Sequence, residues 1–143
     1  MDQGTRDDRF RVILTLWASL LGGVTIFTGV VVALTSGAVG SWSPSLAPGL
    51  AAKLMVLPVL SMAAGIVFRR GEVKRTGDAD ARVGAYQVQV IIGAALQEGG
   101  GLFGLALCLM SGQATWALGV WAATAVAMGI TRPSRDELDA LLR

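Results

Sequence analysis

The sequence has no histidine, one cysteine and one tyrosine, and its charges are few and unevenly spread. Without histidine, the usual metal ligand and the usual general base are both missing. A single cysteine, Cys108, rules out a disulfide within the chain. It sits in an apolar run with no neighbouring base to activate it, and reads as a small core residue. Only 15% of the residues are charged, against roughly a quarter in soluble domains. From Val12 to Phe68 the only charge is Lys53, and from Val83 to Thr131 it is Glu98. Gaps of that length exceed what a soluble core uses and read as membrane spans. The net charge of +2 comes without a basic stripe interleaved with aromatics, so no nucleic-acid partner is expected.

Apolar residues make up 53% of the 143, and the mean hydropathy is +0.60. The first eleven residues are polar and carry both signs. Thr5 and Asp8 have the spacing of a helix cap near Arg6, leading into a first span over about 12–34. Ala38-Val39-Gly40 loosely resembles a signal-peptide cleavage site. The apolar run is too long for a signal peptide, however, and its head holds three aspartates, so a retained helix is expected. A connection rich in Gly, Ser and Pro follows, with Trp42 suited to the membrane interface. The second span, about 49–68, contains Pro58, which frees the carbonyl of Leu54 and predicts a kink. Lys53 is expected to snorkel back toward the span's near end. The segment Arg69 to Arg82 holds five basic and three acidic residues and is expected in water, with Asp78 capping the third span, about 86–110. The fourth, about 114–131, stops at Pro133. Ser134 and Glu137 then open a short helix at 133–143, with Leu138, Leu141 and Leu142 on one side to lie on the membrane surface or on a partner.

Lys and Arg collect in the N-terminal segment, the middle loop and the C-terminal segment, while the other two loops have none. Four spans with both termini on the cytoplasmic side satisfy that pattern. The expected fold class is therefore all-α, an integral membrane four-helix bundle in the cell inner membrane, with the lipid bilayer as its first partner. Shifting the first span by about 75 positions lays Leu21 on Leu96, Gly29 on Gly104 and Ser36-Gly37 on Ser111-Gly112, a faint internal repeat.

Glu98 lies at the centre of the third span, where a charge costs roughly 2.5–3.5 kcal/mol on insertion scales. On a helix it shares a stripe with Gln87, Ile91, Ala94, Gly101, Leu105 and Cys108. A neighbouring stripe holds Gln89, Gly93, Gln97, Gly100, Gly104 and Ser111, small and amide residues suited to close helix approach. Gly22, Thr25 and Gly29 of the first span offer a matching small-residue surface. Glu98 is thus expected to face protein, with Pro58, Ser61 and Gly65 also near it. A carboxyl there serves either as a hydrogen-bonding link between helices or as an exchangeable ion site, with Gln97 beside it. An ion pair between Lys53 and Glu98 is disfavoured by their difference in depth.

The run Ile91 to Leu107, with Ala95-Leu96-Gln97-Glu98 followed by Phe103-Gly104, resembles the carboxylate-bearing helix of the proteolipid subunit c of rotary ATP synthases. That resemblance implies that Glu98 occupies an ion-binding position. The alternating-glycine first helix and the Arg-Gln-Pro loop of that family have no counterpart here. Over its full length the chain is similar to an uncharacterised family of small bacterial four-span membrane proteins, through Ala95-x-x-Glu98-Gly99…Leu102-Phe103 and Arg132-Pro133-Ser134-Arg135.

No paired carboxylates, nucleophile–base set or metal-ligand group lies at one depth, so no catalytic residue, metal or cofactor is expected. The leading expectation is a non-enzymatic accessory or oligomeric membrane component, a homo-oligomer or a subunit of a larger membrane complex. The alternative is proton or sodium translocation through Glu98.

Overall fold

The computed structural model describes residues 3–40, 42–71 and 78–142. Six helices account for most of them: α1 (Gln3–Thr35), α2 (Pro48–Leu54), α3 (Val56–Arg70), α4 (Ala79–Ser111), α5 (Ala114–Ile130) and α6 (Arg135–Leu142). No strand occurs among the described residues. Four helical stretches are long and apolar enough to cross a membrane: α1, α2 with α3, α4, and α5 continuing into α6. Their large apolar side chains point outward as well as inward. Ile26, Val59, Leu60, Val67, Leu118 and Val126 are each more than half exposed. A water-soluble protein does not leave so much apolar surface open, whereas a multi-pass membrane protein faces lipid with it.

Bonding in the second span breaks where Pro58 predicts. Pro58 has no N–H to give the Leu54 carbonyl, and the helix is interrupted at Met55 between α2 and α3. Asp78 caps α4 by accepting a hydrogen bond from the Ala81 N–H at 2.8 Å. Its far end is closed by Gly112, whose φ of +69° is a left-handed conformation that suits glycine. The loop after α1 folds over that end. Trp42 donates its indole N–H to the Leu109 carbonyl at 2.8 Å, and the Ser45 and Leu46 N–H groups both reach the Met110 carbonyl.

The organising element is α4, which packs on all five other helices. Half of its most apolar stretch is buried, against 17% for α1. Helices α1 and α3 flank it with no packed seam between them among the described residues, and α5 sits behind, against α1 and α4. One open strip of α4 remains between α1 and α3, carrying Val88, Ile92, Ala95, Gly99, Phe103 and Met110, all exposed.

The end of the bundle bearing α6 departs from expectation in two ways. The short terminal helix does not lie free: Leu138 is buried with Phe10, Ile13, Val83, Tyr86 and Val90, joined by Leu14, Leu141 and Leu142. Three leucines on one side of α6 are matched by an apolar notch between α1 and α4, and burial there outweighs any surface position. Arg69, expected in the aqueous segment, is also buried, at 7% exposure. Much of that segment, residues 72–77, lies outside the described residues, as does Ser41 of the first loop.

Candidate functional site

Two polar centres sit on α4, one at mid-span and one at the α6 end. At mid-span, Gln97 and Glu98 are adjacent in sequence and point to different neighbours. Gln97 is fully buried. Its side-chain oxygen lies 3.1 Å from the Thr131 hydroxyl, which is itself 2.9 Å from the Ala127 carbonyl. A hydroxyl has one proton. If that proton goes to Ala127, the Gln97 amide must turn and donate to Thr131. Among the described residues the Gln97 amide nitrogen has no hydrogen-bond partner in its present orientation.

The stripe around Gln97 is the α3 seam. A Cβ on Gly65 would lie 2.7 Å from the Gln97 Cγ and 2.7 Å from the Gly93 carbonyl oxygen. One on Gly100 would lie 2.7 Å from the Pro58 carbonyl oxygen. Ser61 donates to the Leu96 carbonyl at 2.8 Å across the same seam. On the next face, Gly101 meets Thr124 and Gly104 meets Val120, both from α5. Gly93, Gly100, Gly101 and Gly104 are therefore all places of close helix approach, and Ala94 is buried beside them.

Glu98 is half-buried at the α1 edge. Its Oε1 lies 3.3 Å from where a Cβ on Gly23 would sit, and Gly23 is itself exposed. The carboxyl makes no hydrogen bond or ion pair among the described residues. The acid expected to face protein does lie against α1, at the rim of the bundle beside the open strip of α4. Pro58, Ser61 and Gly65 pack one face away, around Gln97 and Gly100. Lys53 is exposed and not paired with Glu98.

The small-residue surface of α1 is also displaced from its expected partner. Gly22 and Gly29 have no atom within 4 Å of a would-be Cβ. Thr25 is exposed, donates to the Leu21 carbonyl and accepts the Trp121 indole N–H at 3.1 Å. That side of α1 borders α5 and the outside, not α4. What α1 offers α4 and α5 instead is the aliphatic set Val24 and Val31, clustered with Leu105, Cys108 and Ala117. Periodicity grouped the glycines correctly on one face of α1, but could not say which face the bundle would use.

The second centre was not legible as a site. Arg69, in the last turn of α3, donates to the Tyr86 hydroxyl at 3.2 Å and to the Glu137 carboxylate. Tyr86 donates in turn to the same carboxylate at 2.9 Å, and the Arg69 guanidinium carbon lies 5.1 Å from the Tyr86 ring centre. Gln89 donates to the Phe68 carbonyl at 3.0 Å, tying the α3 terminus to α4. Arg82 reaches the Leu141 carbonyl at 2.9 Å. Outer pairs join α1 to the same end: Arg9 with Asp80 at 3.3 Å, and Arg135 with Asp7 at 3.7 Å. The sequence signal was present in the lone tyrosine and the Ser134–Glu137 cap, since Glu137 donates its N–H to the Ser134 hydroxyl and so fixes the carboxylate's direction. What linked them was long-range.

Among the described residues, no three His, Cys, Asp or Glu side chains come together in a way that could hold a metal ion. No family model matches the chain, and neither a curated protein nor a solved structure matches it.

Proposed function

We propose that this chain is a non-enzymatic component of the cell inner membrane that works by lateral association with other membrane-embedded chains. In this reading both termini and the Arg69–Arg82 segment are cytoplasmic, since every loop-borne Lys and Arg lies at that end. The observation that carries the proposal is Glu98, a mid-span acid at the rim of the bundle with no hydrogen-bond or ion-pair partner among the described residues. Ionisable groups inside a membrane pair with something, and a partner helix along the α1–α4 edge supplies what this chain does not. The exposed strip of α4, with Gly99 and Ala95 beside the carboxyl, gives that helix room.

Extraction of the full chain from its native membrane in polymer-bounded discs, without detergent, tests the reading. A protein mass above the 14.8 kDa of one chain is expected. A single chain in every disc overturns the proposal.

Ion translocation has less to stand on. Gln97 turns toward α3 and α5 while Glu98 turns toward α1, so the two do not form one ligand set. A hydrophobic carbodiimide is expected to label Glu98 at a rate indifferent to sodium. Protection by sodium would instead favour an exchange site.

A further inference from the structure

Resting on that reading, we infer that the lateral partner is a second copy of this chain, joined by the two Glu98 carboxyl groups across a two-fold axis along the membrane normal. The argument begins with depth. Helices α3 and α4 run antiparallel, and Pro58 lies level with Gly100 and Gly104. Lys53 is therefore well displaced from Glu98 toward the uncharged end, and no other Lys or Arg lies within the spans. The chain thus offers no cation at the level of its acid. A two-fold axis along the normal is the symmetry that keeps every residue at its own depth, so it sets Glu98 level with its mate.

The chemistry then closes on itself. A protonated carboxyl has one donor and one strong acceptor, so two of them satisfy each other, and a pair sharing one proton does so with a single strong hydrogen bond. No second kind of residue is required. The surface permits the approach. On the α1 side of the carboxyl, Gly23 is exposed on a stripe with Leu16 and Val30, both more than 40% exposed. On the α4 side lie Ala95, exposed, and Gly99, where an added Cβ meets nothing within 4 Å. Small residues on both sides of the acid let two backbones come near enough for its short side chain to span the gap.

Site-directed crosslinking in native membranes tests this, with two differently tagged full-length copies in a Cys108→Ala background. Single cysteines replace Leu16, Ala95 or Gly99 near the proposed axis, and Val126 on α5 serves as the control position. Expected are disulfide adducts containing both tags at one or more of the three positions, and none at Val126. Glu98→Gln, whose amide also pairs with itself, keeps the adduct, while Glu98→Leu lowers its yield by about tenfold at equal membrane level. Adducts at the three positions that join this chain only to a different polypeptide overturn the second copy and leave lateral association standing. No adduct containing both tags at any of the three positions overturns the second copy, and a single chain in every polymer-bounded disc overturns lateral association with it. Equal yields for the Gln and Leu variants overturn the carboxyl pair.

Discussion

Along α4, the face toward α3 and the edge toward α1 carry adjacent polar residues with opposite surroundings. Toward α3, backbone meets backbone: Gly65, Gly93 and Gly100 leave no space for a methyl group, and Gln97 is sealed in with a single hydroxyl neighbour. Toward α1, the contact is aliphatic around Val24 and Val31, and half-buried Glu98 lies against a bare glycine. A neutral amide can be enclosed at modest cost with one hydrogen bond, whereas an acid kept at the rim can still be reached by a partner. The closed seam holds the chain together. The open edge is where the proposed association would occur.

The largest effect is expected from filling the closed seam. Gly65→Val drives a side chain into the Gln97 stem and the Gly93 carbonyl, neither of which can retreat, and is expected to cost about 3 kcal/mol. Reversible unfolding of the purified protein in mixed micelles measures it, and a loss under 1 kcal/mol would mean the seam is looser than described. Next comes the clasp at the α6 end. Glu137→Ala leaves the buried Arg69 guanidinium with Tyr86 as its remaining side-chain partner among the described residues and is expected to cost about 2 kcal/mol, discounted because Glu137 itself is half exposed. Proteolysis at the α5–α6 joint should rise in step, and an unchanged rate would show that Leu138 alone holds α6.

Gln97→Leu sharpens the contrast from the other side. It removes an amide with one partner, while Thr131 keeps its bond to the Ala127 carbonyl, so a change within about 1 kcal/mol is expected by the same unfolding assay. A large loss would point to a further hydrogen bond at the amide nitrogen. The smallest effect belongs to α1. Gly22→Ala and Gly29→Ala meet nothing, and each is expected to leave stability unchanged or raise it by about 0.5 kcal/mol through helix propensity. Destabilisation by either would show that those glycines are covered in the membrane.

Much of the fold was legible in the sequence because its controls are local. Apolar runs between charged segments, a proline that removes one donor and Asp78 as a cap each act within a turn of where they stand. The stripe Gln89–Gly93–Gln97–Gly100–Gly104–Ser111 was legible for the same reason, and every member is buried. Which helix covers which stripe was not. Helical period fixes angles within one helix and leaves the rotation of its neighbours free, so Pro58, Ser61 and Gly65 were assigned to Glu98 when they lie on Gln97 and Gly100. Burial of Arg69 was hidden for a different reason. A basic residue ending a span reads as solvated unless its anion is known, and the anion lies 68 residues further on.

That separation has a consequence for biogenesis. When α3 leaves the insertion machinery, its terminal guanidinium has no counter-ion, and the carboxylate that will neutralise it has yet to be translated. The notch between α1 and α4 waits equally empty for Leu138. Helix α1 is thus locked by α6, and a chain translated only as far as residue 136 has its four spans made while this end of the bundle is still unlatched.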